Sequence, residues 1–218
     1  MFYEPSKNDH GLKRPPFKSI AVPRPIAWIS TLSEDGVPNL APFSQFSNLG
    51  FEPPYIMLTI NQHGKKKDTV VNIERTGEFV HNMVPLELIE QMNITGGTFP
   101  PEVDEFELAG LTKAPARLVK PYLVAESPVQ LECKYVQTVH LPAGGANAID
   151  IIIGLVVGVH IKDEFIREDG KLDIERIRPV ARMGYSDYTT VDKVFEMQAY
   201  SAGSGANVAL EGITGVYK

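Results

Sequence analysis

RPIAWISTLSEDGVPNLAPFSQFSNLGFEPPYIMLTI, residues 24–60, decides the fold. It holds three apolar runs separated by turn chemistry. Ile26 to Leu32 (IAWISTL) is rich in β-branched and aromatic residues and reads as a strand. Ser33 to Gly36 (SEDG) supplies a turn, with Gly36 where φ > 0 is needed. Pro53–Pro54 breaks the chain, and Tyr55 to Ile60 (YIMLTI) reads as a third, largely buried strand. The middle run, Asn39 to Leu49, is different in kind. It crowds Ser44, Gln45, Ser47 and Asn48 around Phe46. A core strand seldom does so, because each buried polar group needs a partner. Two readings stand: a ligand rich in donors and acceptors supplies those partners, or the strand is half-exposed with a solvated face.

Downstream lies NQHGKKKDTVVNIERTG, residues 61–77. Asp68 is placed to cap a helix from Thr69 to about Arg75, and Gly77 to end it. Lys65, Lys66 and Lys67 stand just before the cap. A helix start offers free N–H groups and partial positive charge, and the lysines add full charges, which suits a phosphate. The alternative is a solvated basic loop.

Glu78 to Val84 reads as a strand, in which His81 is a structural histidine, since one His without ligand-spaced partners is no metal site. Leu86 to Met92 has helical spacing, Asn93 to Pro101 is a loop, and Glu102 to Leu111 is acidic with a helical turn. Val129 to Leu141 and Ala148 to Ile161 read as long strands paired antiparallel across the turn PAGGAN. In the first, Gln130, Glu132, Lys134 and Gln137 are spaced to face outward more often than inward. The second is buried for much of its length, with Gly154 and Gly158 marking bulges. Phe165 to Leu172 turns around Asp169–Gly170, and Asp173 to Ile177 forms a short helix stopped near Pro179. The first 24 residues hold four prolines and read as an extended arm (1–24), ahead of one domain (25–200) and a Gly-rich tail (201–218). Ordering such an arm is costly on a monomer, which favours packing on a second subunit.

A chain of 218 residues, 43% hydrophobic, builds a full core. Its net charge of −6 disfavours nucleic acid as a partner. A lone Cys133 excludes an internal disulfide and a cysteine metal cluster, and reads as packing. The N-terminal stretch lacks a signal-peptide core, and the most apolar run is short and interrupted by Asp150, Gly154 and Gly158. The expectation is a cytoplasmic protein with no membrane partner. No Ser–His–Asp arrangement, Walker loop or HExxH is present at a usable spacing, and Ala143-Gly144-Gly145-Ala146 lacks the GxGxxG pattern of a dinucleotide fold.

PRPIAWIST, DGVPNLAPFSQFSN, the PP ahead of an apolar strand, and the opening MFYEP followed by HGLKRPPFKSIAVPRPIAWIST together resemble the flavin reductase-like, FMN-binding split-barrel family. The likeness runs to about Tyr188. It implies a mainly β fold: a six-stranded antiparallel split β-barrel of Greek-key topology with peripheral helices, working as a homodimer with FMN at the subunit interface. KDT followed by NI resembles the family's phosphate segment, which implies that Lys67, Asp68 and Thr69 contact the FMN phosphate. Ser44, Gln45, Phe46, Ser47 and Asn48 then suit the polar edge of the flavin ring, with Thr31 reaching the same cleft from the neighbouring strand. RPVARMGYSDYTTV resembles the closing motif at Arg182, Gly184 and Tyr188. Two departures stand out: Tyr185 where the family often has Gly, expected to narrow the space near the flavin, and Leu155 where an acidic residue is common. Arg182 has two readings, a cation near the flavin or an ion pair with a carboxylate.

The flavin ring carries the redox chemistry itself, so no catalytic side chain and no metal ligand is singled out. The expected activity is reduction of FMN by NADH or NADPH, with electrons passed to a second acceptor, either a small-molecule substrate or a partner monooxygenase. The alternatives are a flavin-dependent oxygenase acting on a small molecule and a non-catalytic FMN-binding protein.

Overall fold

The computed structural model describes residues 1–142 and 147–197. Residues 143–146 of the expected turn and the tail 201–218 lie outside the described residues. The strands are β1 (Arg24–Pro25), β2 (Ala27–Leu32), β3 (Pro38–Phe43), β4 (Phe46–Phe51), β5 (Pro54–His63), β6 (Glu78–Asn82), β7 (Lys113–Ala114), β8 (Leu123–Val124), β9 (Val129–Leu141), β10 (Asn147–Ile161), β11 (Val180–Gly184) and β12 (Asp187–Thr190). Among the described residues four α-helices accompany them: α1 (Asp68–Thr76), α2 (Ile89–Ile94), α3 (Glu105–Leu108) and α4 (Ile174–Ile177).

The main sheet is antiparallel and has seven strands, in the order β3-β2-β6-β9-β10-β5-β4, instead of the expected six. The extra strand comes from the middle run. Asn39 to Leu49 is not one strand but two, β3 and β4, interrupted at Ser44–Gln45. These two strands stand at opposite ends of the hydrogen-bonded order, yet only two residues join them. Three peptide steps reach about 10 Å at most. The sheet must therefore curl until its β3 edge comes round to the β5–β4 end, which makes it a barrel split along that seam. Gln45 laces the seam, its carbonyl accepting from the Thr59 N–H at 2.8 Å.

Alternation along the strands fills the interior. Ala27 and Ile29 of β2, Ile56, Leu58 and Ile60 of β5, Phe79 of β6, Cys133 of β9 and Ile152 of β10 form one buried cluster, joined by Val70 and Ile73 of α1. Burying each large apolar side chain contributes roughly 1.5–3 kcal/mol. Cys133 is the packing residue its context suggested, with burial pushing its thiol well up. His81 also points inward, its ring 4.5 Å from that of Phe46 and its Nδ1 without a partner. A second cluster on the far side of β2 and β3 holds Trp28, Leu40, Met92, Phe106 and Val180.

Several expectations are corrected. β5 is not buried throughout; its inward residues alternate with half-exposed Tyr55, Met57 and Thr59. β10 alternates likewise, with Asp150, Ile152 and Gly154 inside. Gln130 and Glu132 lie on the outer face of β9, opposite the core residues Leu131 and Cys133, but that face is covered and not solvated. Both are buried because a neighbouring loop supplies their partners: Gln130 Nε2 donates to the Val124 and Ser127 carbonyls, and Glu132 accepts from the N–H groups of Arg117, Leu118 and Val119. The helix near residue 90 begins at Ile89, after a 3-10 turn over Leu86–Leu88. The bulges at Gly154 and Gly158 are present as register shifts against β9.

The later half of the arm docks on its own chain. Ser19 Oγ donates to the Met183 carbonyl at 3.0 Å, and Tyr185 Oη donates to the Pro15 carbonyl at 3.0 Å. Gly184 permits this close approach: its φ is +94°, and a Cβ there would lie 2.4 Å from the Lys18 carbonyl oxygen. Gly184→Ala is expected to release the arm and to cost about 1–2 kcal/mol of backbone strain. Faster tryptic cleavage at Lys13 and Lys18 would report it; an unchanged digestion rate would count against that role.

Candidate functional site

A cleft of about 550 Å³ lies at the seam. One wall is β3 and the Ser44–Gln45 link, and the other is Thr59, Asn61 and His63 of β5. Its floor is the start of α1, with Lys67, Asp68 and Thr69, and the loop of residues 95–99 closes the far side. Trp28 fixes that loop by donating Nε1–H to Thr95 Oγ1 at 2.8 Å. A smaller hollow of about 220 Å³ adjoins it, sharing Pro42, Phe43, Ser44 and Gly96 and adding Arg182 and Tyr188.

The start of α1 differs from the expectation in one detail. Lys67, not Asp68, is the N-cap, and its side chain makes no capping bond; Asp68 is the first helical residue. The first helical bonds run from the Val70 and Val71 N–H groups to the Lys67 carbonyl. The N–H groups of Asp68 and Thr69 precede that ladder and carry the helix's partial positive charge. Gly77 ends the helix with φ of +74°, its N–H on the Ile73 carbonyl. Of the three lysines, Lys66 is held by Glu74 at 2.5 Å and Lys65 lies 3.6 Å from Asp68. Among the described residues Lys67 has no carboxylate partner.

Thr31 lies beneath the cleft, 1% exposed. Its Oγ1 accepts from Asn72 Nδ2 at 3.0 Å and lies 3.4 Å from Asn39 Oδ1. Thr69 Oγ1 donates to the same Asn39 Oδ1 at 2.9 Å, and Asn39 Nδ2 donates to Glu105 Oε1 at 2.9 Å. Glu105 Oε2 accepts from the Leu40 N–H. Burial raises the Glu105 carboxyl above its ordinary value, opposed by these hydrogen bonds. The sequence reading missed Asn39 and Glu105. An Asn in a strand is an ordinary sight, and Glu105 sits in an acidic segment whose other members are solvated; only the fold shows one of them turned inward.

The other residues singled out from the sequence divide. Ser44 and Gln45 line the cleft with Lys67, Asp68 and Thr69. Phe46 packs on the barrel core. Ser47 and Asn48 are exposed on β4 and do not line this cleft. Arg182 and Tyr188 line the adjoining hollow. The Arg182 guanidinium stacks 4.5 Å over the Tyr188 ring and donates to the Tyr185 carbonyl and Tyr188 hydroxyl. Among the described residues it has no carboxylate partner, so the ion-pair reading falls away. Tyr185 points toward the arm and does not narrow the cleft. No group of three or more potential metal ligands occurs among the described residues, and no helix there is long and apolar enough to cross a membrane.

Residues 19–176 match the model of the flavin reductase like domain. An uncharacterised protein of Aquifex aeolicus is 40% identical over 171 residues, 78% of this chain and 85% of that protein. Among solved structures, nitrilotriacetate monooxygenase component B of Bacillus cereus superimposes with a TM-score of 0.83 at 27% identity, covering 90% of this chain and 98% of that one. A Shewanella frigidimarina protein, described as a flavin reductase with a split barrel domain, gives 0.79 at 27%, covering 92% and 100%.

Proposed function

The chain belongs to the flavin reductase like family, and from that premise we propose that it binds FMN in the seam cleft and works as an NADH- or NADPH-dependent flavin reductase. The observation that carries this reading is one continuous cleft with a helix start and an unpaired lysine at one end and the polar Ser44–Gln45 link along its wall. The donor set fits the group. The Asp68 and Thr69 N–H groups and Lys67 would hold the phosphate. Ser44 and Gln45 would face the polar edge of the ring, and Arg182 would lie beside it with Tyr188. FMN supplies the hydride and electron chemistry when bound. The side chains then bind it, orient it and limit water. Electrons leave for a small-molecule acceptor or a partner monooxygenase. Titration with FMN, then anaerobic addition of NADH and of NADPH, tests the reading: rapid bleaching by either supports it, and a bound flavin that neither reduces rejects it.

We also propose a homodimer. Met57, Ile153, Ile151, Val139 and Leu141 form an apolar band on the outer face of β5, β10 and β9, joined by the pairings Met57–Ile153 and Ile151–Val139. Such a band on a small domain favours a partner surface. Thr59 of the cleft is the cross-strand partner of Ile151, so a second copy seated there borders the cleft. Light scattering is expected to give twice the 24.1 kDa chain mass, and a monomer with FMN bound would refute it.

Arg182→Gln is expected to loosen FMN about tenfold to a hundredfold through loss of one charge-assisted contact. Its apoprotein should lose only the modest stability of its bonds to the Tyr185 carbonyl and Tyr188 hydroxyl, since no buried carboxylate is left unpaired among the described residues. An unchanged flavin affinity and potential would strike Arg182 from the site.

A further inference from the structure

We infer that Asp150 and Gln62 are positioning residues for the anion end of the cleft, an inference that rests on the FMN reading above. Neither lines the cleft; both lie inside the barrel beneath it, 2% and 4% exposed. Gln62 Oε1 accepts from the Lys67 N–H at 2.7 Å, and Gln62 Nε2 donates to Asp150 Oδ2 at 2.8 Å. The other Asp150 oxygen meets His140 Nδ1 at 2.7 Å, from the cross-strand position on β9.

The chemistry of this chain has a direction. A carboxylate only accepts, so it selects the amide end of Gln62. The carbonyl end is thereby left for the one N–H of the α1 cap that faces the interior. That bond sets where the Lys67 backbone sits. The Lys67 side chain and the next two N–H groups, of Asp68 and Thr69, are aimed from it. Without the carboxylate, Gln62 is free to turn its amide toward Lys67 and set donor against donor. The buried charge is sustained locally: burial raises the Asp150 carboxyl, but the bonds from His140 and Gln62 outweigh it and hold it below its ordinary value, with Lys66 adding attraction.

The test compares FMN with riboflavin, which shares the ring and lacks the phosphate, in the wild type, Asp150→Leu and Gln62→Leu. Each variant is expected to bind FMN about fivefold more weakly and riboflavin as before, the effect of one net hydrogen bond. Hydrogen exchange at the Lys67 amide gives a readout without flavin: slow in the wild type, fast in both variants. Retention of both the FMN preference and the slow exchange overturns the inference. So does an equal loss for both flavins with a lowered melting temperature, which marks a purely structural role. A wild type that binds the two flavins alike would instead overturn the phosphate site itself, and this inference with it.

Discussion

Acidification from pH 7 to pH 5 is expected to cost the apoprotein about 2 kcal/mol through His81 alone. The ring is buried among Phe46, Ile29 and the barrel core, and burial lowers its pKa from 6.5 to about 4. Above pH 6.5 the ring is neutral in the folded and unfolded chain, and it has no effect on the balance. Below it the unfolded chain takes a proton that the fold refuses, so stability falls by about 1.4 kcal/mol per pH step until the folded ring protonates near pH 4. The full loss is then about 3 kcal/mol.

Glu105, with a raised pKa, works in the opposite sense, gaining stability as the pH falls toward the ordinary carboxylate value of 4.5. Glu78, Glu132 and Asp150, all lowered, lose their contributions only below their ordinary values of 4.5, 4.5 and 3.8. Subtracting a His81→Leu variant removes these shared contributions. Urea unfolding of both proteins at pH 7 and pH 5 should show the wild type losing about 2 kcal/mol more than the variant. The variant should match or exceed the wild type at pH 7, because the substitution removes a buried nitrogen with no partner. Equal losses in the two proteins would mean that water reaches the ring.

Local pattern carried most of the fold. β2, β6, β9 and the turn at Gly36 follow from β-branched runs, alternation and one positive φ, each readable within ten residues. The barrel's closure was readable only through resemblance. It depends on Ser44–Gln45 bridging two edges of one sheet, and edge position is set by strand pairings far apart in sequence. The same gap hid the buried polar groups. Gln130, Glu132 and Gln62 look like solvent-facing strand residues, since their partners are backbone groups or side chains that only the tertiary fold delivers. Lys67 to Thr69 was legible because helix-start chemistry is local. Ser47 and Asn48 were grouped with Ser44 by nearness in sequence, but β4 is an edge strand that leaves both exposed, away from the cleft.

Lys67→Ala is expected to weaken FMN binding by about 1.5–3 kcal/mol, tenfold to about a hundredfold, with riboflavin affinity unchanged. Charge count does not explain such a loss, because three lysines stand in a row. Their partners separate them. Lys66 is occupied by Glu74, and Lys65, with a 75% exposed side chain, is screened by water and lies near Asp68. An exposed charge of that kind contributes about 0–1 kcal/mol, so Lys65→Ala should change FMN affinity by about fivefold at most. Lys67 is half-buried at the helix cap, beside the free N–H groups, where its charge and the helix's partial charge add at close range. Fluorescence titration of the two variants against both flavins decides the matter. Similar losses for Lys65→Ala and Lys67→Ala would mean a diffuse basic field and no defined phosphate contact. A loss for Lys67→Ala that survives 0.5 M salt would mark a contact shielded from solvent, since at that ionic strength the screening length is only about 4–5 Å.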